Sequence, residues 1–484
     1  MSEKFVNSMK QENNWKLTEN GADSLKSTTN GLLDLFATIG ALRTRSDEDI
    51  EKLFSLGFSE DPLLATKMSF YARNIRGGLG ERKTPRVIWK WMAKIYPNII
   101  RKNLSLISDY GRWDDLYEFV GTSVENDVWD LIKKQFDKDI IAMSKGEKVS
   151  LLAKWLKSSN TSSKKSSDLG KLTANKLGLS ERNYRKLLSA LRDKIDVTET
   201  KMSGNNWGNI NYSGVPSKAM NNYRHAFEKH DEKRFDEYIA KVESGEEKIN
   251  SSTLYPYDII EKILYKHEYN KVIEEQWKAL PNYIEGENNI LVMADVSGSM
   301  DGRPLATSVG LAIYFAERNH GVFQNMFMTF SARPEFVTLK GNTLYEKVNN
   351  AKEVSWSMNT DIKKAFIMIL DTAIRNNLSQ EDLPKSLIII SDMEFDSASR
   401  QDRKTYYQHM KELYAEHKYE LPKVIFWNVS ARNNTFHAEV NDGVQFASGQ
   451  STSVFQSIIK NSNLGAYEMM LETLNDPIYD RVTV

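Results

Sequence analysis

Between about residue 31 and residue 283, apolar residues recur every three or four positions, with short polar breaks between the runs. This spacing places apolar side chains on one face of an α-helix. Start signals agree, because Ser46 with Asp49 resembles a capping box and Pro62 stands at a first turn. No fixed repeat length can be aligned. The pattern predicts short helices that stack on their neighbours, as in a HEAT-like α-helical solenoid or ring.

Two stretches within this region break the helical pattern. Residues 158–170 have the Ser and Lys bias of a mobile loop, and residues 203–217 are a second irregular stretch. Downstream of both, Asp231 precedes an apolar run of helical period and is expected to begin a new helix.

After residue 286 the pattern changes to apolar runs typical of buried strands, which alternate with helical stretches. Such alternation is typical of a parallel sheet with helices on both faces. We therefore predict two domains, an α-helical repeat over residues 1–284 and a doubly wound α/β domain over residues 285–484. Ligands of such sheets bind beyond the carboxyl ends of the strands, where the strand order reverses.

The amino-acid composition excludes several classes of protein and of binding site. The 484 residues are 40% hydrophobic, so the chain can bury large cores, and the absence of Cys excludes disulfides and thiolate metal sites. No apolar stretch reaches the length of a membrane span and the first residues do not resemble a signal peptide, so we expect a cytoplasmic protein. Charge is balanced overall but divided: residues 1–284 carry 46 Lys and Arg against 40 Asp and Glu, and residues 285–484 carry 19 against 25.

Oxygen-bearing side chains follow the predicted strands of the α/β domain. Asp295, Ser297 and Ser299 alternate as the chain leaves the first strand, Thr360 precedes a helix, and Asp392 ends another strand. Carboxylates and hydroxyls suit a hard cation, and we expect Mg²⁺ with some water ligands. The alternative is an ordinary strand-to-turn exit, since Asp, Ser and Gly are common turn residues. Glu394 and Asp396 are expected to form a solvated loop face.

These five residues resemble the metal-ion-dependent adhesion site of a von Willebrand factor A domain. The resemblance implies that Ser297, Ser299 and Thr360 contact the metal through their hydroxyls. It also implies that Asp295 and Asp392 act through water.

The order of parts, a helical repeat followed by an A-like domain, resembles the TROVE family that includes the Ro autoantigen. In that family a ring of helical repeats binds noncoding RNA and the A-like domain closes the ring. Residues 73–83, 110–116 and 254–256 look closer to a TROVE-like family of uncharacterised proteins from bacteria, viruses and eukaryotes.

Basic clusters in the helical region agree with RNA as a partner. Residues 154–194 hold eleven Lys and Arg against three acids, with Trp155 and Tyr184 as potential stacking faces, and a second cluster surrounds the glycines near residue 78. Such patches neutralise phosphates and stack on bases, although a solvated helix face is the alternative for any charge run. The expected RNA-binding residues are Arg73, Arg76, Arg82, Lys83, Arg86, Lys154, Lys157, Lys164, Lys165, Lys171, Lys176, Arg182, Arg185 and Lys186.

Enzymatic chemistry is not expected. Residues 77–84 miss a phosphate-binding P-loop, because Arg82 stands where a Gly is required and a helix precedes the segment instead of a strand. No hydrolase nucleophile motif is present. The sequence therefore favours a non-enzymatic scaffold for noncoding or misfolded RNA, without a membrane or small-molecule substrate. The alternative is a protein-interaction module in which the bound metal captures a carboxylate of a partner protein.

Overall fold

The computed structural model of the protein describes residues 3–284, 286, 288–330, 333–353, 361–397 and 404–484. An N-terminal helical region is followed by a C-terminal α/β domain with a six-stranded mixed sheet. Within these ranges no helix is both long and apolar enough to cross a membrane.

The helical region consists of consecutive helices joined by short links, and neighbours along the chain pack on one another. Its helices are α1 (Glu3–Asn14), α2 (Gly31–Phe36), α3 (Asp47–Glu60), α4 (Pro62–Arg73), α5 (Lys83–Ile95), α6 (Pro97–Tyr110), α7 (Glu125–Ser144), α8 (Leu152–Trp155), α9 (Lys164–Lys176), α10 (Glu181–Ile195), α11 (Thr198–Ser203), α12 (Ser217–Glu243), α13 (Pro256–Lys266) and α14 (Lys271–Lys278), with 3₁₀ helices at Trp113–Phe119, Trp207–Asn209 and Tyr212–Gly214.

The local sequence explains where several of these helices begin. The Ser46 hydroxyl accepts a hydrogen bond from the Asp49 amide and caps α3 as predicted, and Asp61 caps α4, whose first residue is Pro62. A side-chain oxygen at this position satisfies an amide that has no partner within the helix.

One prediction in the helical region was wrong. The stretch 158–170 is not wholly a loop, because the Ser163 hydroxyl caps α9, which begins at Lys164. The error arose because Ser favours helix caps and turns alike, and packing decides between them.

The prediction of a helix start at Asp231 is confirmed. The backbone of Asp231 is non-helical, with φ −151° and ψ 39°, and it divides α12 into two helices across a kink.

The α/β domain consists of β3 (Ile290–Asp295), α15 (Arg303–Arg318), β4 (Met326–Phe330), β5 (Glu335–Thr338), α16 (Leu344–Lys352), α17 (Ile362–Arg375), β6 (Ser386–Ser391), α18 (Tyr406–Glu416), β7 (Lys423–Asn428), β8 (Gln445–Ser448), α19 (Ser453–Lys460) and α20 (Ala466–Leu474), with 3₁₀ helices at Gly298–Met300, Gln380–Asp382 and Pro477–Tyr479. Its six strands form one sheet in the order β5-β4-β3-β6-β7-β8. All neighbouring pairs are parallel except β4 and β5, which are antiparallel. The prediction of a parallel sheet was therefore wrong at this edge, because the short link after β4 allows only a hairpin.

The strand order reverses between β3 and β6. From β3 the chain proceeds to β4 on one side, and it later returns to β6 on the other side before continuing to β7 and β8. The helices that follow β3 and β6 diverge at such a point and leave a crevice beyond the strand ends. The chain therefore places Asp295 and Asp392 at the edge where ligands of this architecture bind.

An N-terminal hairpin, β1 (Trp15–Leu17) and β2 (Asp23–Leu25), packs on the α/β domain. The Thr18 hydroxyl donates to the Phe395 carbonyl at 2.7 Å, and the backbone of Leu25 pairs with that of Phe436. The helical periodicity did not predict this element. It brings the start of the chain to the carboxyl edge of the sheet.

The helical region contacts the α/β domain at both of its ends. Near its start α2 packs on β8 and α20, and near its end α13 packs on α15. Glycines permit the closest approaches, because a Cβ at Gly40 would lie 2.6 Å from the Cα of Gly449 and one at Gly310 would lie 2.9 Å from Pro256. The two parts of the chain therefore enclose a space between them.

His437 is a buried titratable group beneath the N-terminal hairpin. Its ring packs against Phe395 with centroids 4.5 Å apart, and its Nε2 lies 2.8 Å from the Met393 carbonyl oxygen. Burial lowers the pKa of His437 from its usual 6.5 to about 4.

We expect His437 to make the fold sensitive to acid. Between pH 6.5 and pH 4 the unfolded chain binds a proton that the folded chain excludes, so stability falls on acidification by about 1 kcal/mol per pH unit. His437→Phe should flatten the pH dependence of the urea midpoint in this window. Equal slopes for His437→Phe and the wild type would contradict the assignment.

Candidate functional site

The carboxylates that end β3 and β6 form the centre of a buried polar cluster. The Asp295 side chain accepts hydrogen bonds from the Ser297 amide at 3.0 Å and from the Ser391 hydroxyl at 2.6 Å. Burial and then the neighbouring Asp392 raise the pKa of Asp295 to about 7. The two carboxylates therefore lie close enough for each to disfavour ionisation of the other.

Two hydroxyls complete the cluster on the chain that leaves β3. The side-chain oxygens of Ser297 and Ser299 lie 3.1 Å apart. Ser299 also lies close enough to the Asp392 carboxylate to oppose the rise in the pKa of Asp392 that burial causes. We define Asp295, Ser297, Ser299 and Asp392 as the sheet-edge cluster. The structure brings these four predicted residues together, and Thr360, the fifth, lies outside the described residues.

The donor set of this cluster fits a hard divalent cation. Its oxygens come from two carboxylates and two hydroxyls, and the raised pKa of Asp295 indicates a site that would gain from added positive charge. Among the residues that the structure describes, no group of three or more His, Cys, Asp or Glu side chains could hold a metal ion. A metal ion bound at the sheet-edge cluster would thus need the hydroxyls of Ser297 and Ser299 as ligands in addition to the two carboxylates.

Arg432 supplies a positive charge to the sheet-edge cluster. Its Nη2 lies 2.7 Å from Asp392 Oδ2 and 3.2 Å from Glu19 Oε2, which the N-terminal hairpin contributes. The guanidinium is about one-third exposed. Arg432 therefore balances the charge that a metal ion at Asp392 would otherwise balance.

The prediction that Glu394 belongs to a solvated loop face was wrong. Glu394 is 1% exposed. Its carboxylate accepts hydrogen bonds from the Glu19 amide at 2.7 Å and from the Thr435 hydroxyl at 2.9 Å. The sequence could not show this, because the hairpin that covers Glu394 comes from the other end of the chain.

A second site lies in the space between the helical region and the α/β domain. This basic cleft has a volume of about 1230 Å³ and is lined by ten Lys and Arg residues against three Asp and Glu residues. Six aromatic side chains also line it. The basic residues are Arg43, Arg73, Arg76, Arg82, Lys83, Arg112, Lys154, Lys218, Arg303 and Arg481, and the aromatic residues are Tyr110, Trp113, Trp155, Tyr223, Tyr255 and Tyr257.

A buried ion pair builds one wall of the basic cleft. Arg73, at the end of α4, is 2% exposed, and its Nε donates to Asp115 Oδ2 at 2.7 Å. The same carboxylate accepts from Arg86 Nε at 2.6 Å and from the Arg112 amide at 2.9 Å. Gly111 lets these groups approach, because a Cβ there would lie 2.8 Å from Arg73 Nε.

Cations and rings alternate along the lining. The Arg112 guanidinium lies over the Trp155 ring at 4.4 Å from its centroid, and the Arg303 guanidinium lies over Tyr257 at 4.6 Å. Such stacking fixes the orientation of a guanidinium while leaving its N–H groups able to donate.

Comparisons with known proteins place the chain in a family. The family described as "Domain of unknown function (DUF2828)" matches residues 18–138 and 149–289, which together are more than half of the chain. The chain belongs to the DUF2828 family. A second description, "Domain of unknown function (DUF7788)", matches residues 289–477. "Uncharacterized protein L728" of Acanthamoeba polyphaga mimivirus is 26% identical over 516 residues, which cover 97% of this chain and 89% of that protein.

The basic cleft of this DUF2828 family member gathers part of the predicted RNA-binding set. Five predicted residues line it: Arg73, Arg76, Arg82, Lys83 and Lys154. The remaining predicted residues, Arg86, Lys157, Lys164, Lys165, Lys171, Lys176, Arg182, Arg185 and Lys186, do not line it.

The predicted RNA-binding residues outside the cleft differ in whether they form ion pairs within the fold. Arg86 pairs with Asp115 and Glu118, and Lys176 lies 3.3 Å from Glu125. Arg182 and Lys186 are exposed on α10. The suggestion that Tyr184 offers a stacking face was wrong, because Tyr184 is fully buried and donates to the Lys157 carbonyl.

Sequence reasoning missed half of the basic residues in the cleft of this DUF2828 family member. The missed residues come from five separate segments, and none lies in a dense local run of Lys and Arg: Arg43, Arg112, Lys218, Arg303 and Arg481. The sequence contained a signal for Arg112, because this residue belongs to the segment 110–116, which is rich in aromatic and charged residues. The other four are neighbours only through the fold.

The glycines near residue 78 allow neighbouring residues to pack closely against the backbone in this DUF2828 family member. A Cβ at Gly78 would lie 2.2 Å from the Tyr71 carbonyl oxygen, and one at Gly80, with φ +64°, would overlap the Tyr255 hydroxyl. Because helix α4 precedes these glycines, the structure agrees that the segment is not a P-loop.

We expect Arg432→Gln to strengthen binding of Mg²⁺ at the sheet-edge cluster by about tenfold, because the guanidinium no longer competes for Asp392. Isothermal titration calorimetry with Mg²⁺ measures the change. Arg375→Gln removes one exposed positive charge from the same domain and should leave the affinity unchanged. If the wild type and both variants bind Mg²⁺ equally, or none binds it, the metal assignment is wrong.

We expect Asp115→Asn to destabilise the fold by about 3–5 kcal/mol, because it leaves the buried guanidinium of Arg73 without its counter-charge. Asp127→Asn, which removes the exposed pair with Arg101, should cost about 1 kcal/mol or less. Urea unfolding followed by tryptophan fluorescence compares the two. Similar losses in both variants would show that the Arg73–Asp115 pair does not hold the wall of the cleft.

Proposed function

We propose that the protein is a non-enzymatic scaffold that binds single-stranded segments of noncoding or misfolded RNA in the basic cleft. One observation carries this proposal: basic and aromatic side chains from the helical region and from the α/β domain converge on a single large cleft. Arg and Lys neutralise phosphates, and aromatic rings stack on bases of any sequence.

The dimensions and chemistry of the cleft favour a polymer over a small molecule. Its volume of about 1230 Å³ exceeds the roughly 300–1,000 Å³ of most small-molecule pockets. Seven of the ten cations in the lining have a carboxylate partner within the described fold: Arg43, Arg73, Arg82, Lys83, Lys218, Arg303 and Arg481. Within the described part of the chain, Arg76, Arg112 and Lys154 have no carboxylate in ion-pair distance. A polyanion would supply the missing charge.

The lysine-rich helices outside the cleft extend the same proposal. Lys164 and Lys165 are exposed at the start of α9, and Arg182 and Lys186 are exposed on α10. These side chains would contact the phosphates of RNA that continues beyond the cleft. Their contribution would be independent of sequence and sensitive to salt.

The C-terminal domain would close the ring and hold Mg²⁺, in the manner of a von Willebrand factor A domain. The contacts of α2 and α13 with the α/β domain support closure. Support for Mg²⁺ comes from the convergence of Ser297, Ser299 and Asp392. A bound cation would balance the buried carboxylates and leave a coordination position open to an outside oxygen.

The exposure of Ser299 favours a second candidate function for the sheet-edge cluster. Ser299 and Gly298 are exposed at the rim, whereas Asp295 and Ser297 are buried. A metal held there would be accessible from one side to the carboxylate of a partner protein. This protein-interaction role does not require the basic cleft.

Substitution of unpaired cleft cations tests the RNA proposal. We expect Arg76→Gln combined with Lys154→Gln to weaken binding of a fluorescein-labelled 20-nucleotide single-stranded RNA by tenfold or more. Two lost phosphate contacts should also reduce the slope of log affinity against log salt by about 1.4. Fluorescence anisotropy at several salt concentrations measures both quantities.

The matched control for this test is Lys133→Gln combined with Lys138→Gln, which removes the same charge from the exposed side of α7 outside the cleft. It should bind the RNA nearly as well as the wild type does. Equal weakening by both pairs would show that the cleft is not the binding site, and the absence of RNA binding by the wild type would refute the proposed function.

A further inference from the structure

We propose that the basic cleft contains a subsite for a phosphomonoester, formed by Arg73, Arg76 and Arg112, which holds the terminal phosphate of the bound strand. This inference deepens the proposed function and rests on it for the identity of the strand. Its chemistry is narrower than general RNA binding, because it distinguishes a strand that ends in phosphate from one that ends in hydroxyl.

Arg73 provides the first argument, because its guanidinium is only partly satisfied. Its Nε donates to Asp115, whereas its buried Nη2 has no hydrogen-bond partner anywhere in the described ranges. A buried donor without an acceptor costs about 1–3 kcal/mol. Since Arg73 lies in the cleft wall, an anionic oxygen entering the cleft is the acceptor that would remove this penalty.

Arg112 provides the second argument, because it brings a further positive charge to the same wall. Its backbone is bonded to Asp115, next to Arg73, and its side chain is held on the Trp155 ring. Burial and then the charge of Arg73 lower the pKa of Arg112 from its usual value. Asp115 pairs with the Arg73 guanidinium, whereas the Arg112 guanidinium has no carboxylate in ion-pair distance within the described residues, so its charge is not cancelled by a direct partner.

Arg76 follows α4 and lines the same cleft as Arg73 and Arg112. Its Nη1 donates to the Asp109 carbonyl at 2.6 Å, which anchors the side chain beside the residues that precede Gly111. The next residue, Gly77, has no atom within 4 Å of the position of a Cβ. The fold therefore fixes the guanidinium and leaves open space beside its backbone.

The acidic residues of the lining are already engaged. Glu81 pairs with Arg43, Asp109 pairs with Arg481, and Glu199 accepts from the Tyr223 hydroxyl at 3.2 Å. These three are the carboxylates that line the cleft. An incoming phosphate would thus face guanidiniums whose charge these carboxylates do not cancel.

A phosphomonoester satisfies this arrangement better than an internal diester. It carries about −1.5 to −2 charges at pH 7 and three strong acceptor oxygens, whereas a diester carries one charge. Guanidiniums bind such oxygens in paired, charge-assisted hydrogen bonds. The end of a strand can also approach a deeply set arginine without the chain having to turn and leave again.

The test compares three otherwise identical 12-nucleotide single-stranded RNAs that carry a 5′-phosphate, a 3′-phosphate or hydroxyls at both ends. We expect the wild type to bind at least one phosphorylated RNA about tenfold more tightly than the hydroxyl form in fluorescence anisotropy. The phosphorylated form that gains affinity identifies which end of the strand enters the subsite.

Arg112→Gln should abolish this preference, because it weakens binding of the phosphorylated form more than binding of the hydroxyl form, which the other cleft cations also hold. Arg112→Lys keeps the charge without the planar fork and should retain only part of the preference. Arg101→Gln, which removes an exposed guanidinium of α6 outside the cleft, is the matched control and should retain all of it. Equal urea midpoints would show that the variants are folded.

Calorimetry with adenosine 5′-monophosphate, with adenosine as the blank, separates failure of this inference from failure of the proposed function. Binding of the monophosphate that is lost in Arg112→Gln supports the subsite even if no RNA binds. RNA binding without any preference for a terminal phosphate overturns the subsite and leaves the proposed function standing. No preference together with no monophosphate binding also overturns the subsite.

Discussion

The buried ion pair between Arg73 and Asp115 is the interaction on which the basic cleft depends. It joins the end of α4 to the 3₁₀ helix Trp113–Phe119, and the same carboxylate binds the backbone of Arg112. A charge buried this deeply is tolerated only with a counter-charge and further hydrogen bonds. One carboxylate therefore fixes the guanidinium of Arg73 and the backbone of Arg112, and Gly111 provides the space for this arrangement.

The basic cleft and the sheet-edge cluster are connected by a short stretch of chain. Ser299 belongs to the cluster, and Arg303, four residues later at the start of α15, lines the cleft. Between them Gly302 donates its amide to the hydroxyl of Tyr265, on α13 at the end of the helical region. A change in the conformation of the loop after β3 would thus displace residues of both sites. This loop physically connects cation binding at the sheet-edge cluster with the lining of the basic cleft.

The sequence was a good guide where the chemistry is local. Apolar periodicity located the helical region and the buried strands, and the alternation of Asp295, Ser297 and Ser299 after a strand predicted that they converge with Asp392. It failed where a distant segment decides the environment. Glu394 is covered by the N-terminal hairpin, and Tyr184 is buried by its neighbours although charged residues surround it in the sequence.

The sequence by itself determined the two kinds of structure, the order in which they occur and the oxygen-bearing residues at the strand ends. These follow from side-chain period and from the geometry of parallel strands, which act over a few residues. Only the tertiary structure decided that Arg112, Lys218, Arg303 and Arg481 share one cleft and that Arg432 balances Asp392. These contacts depend on how the two ends of the helical region pack against the α/β domain, and that packing is a property of the whole chain.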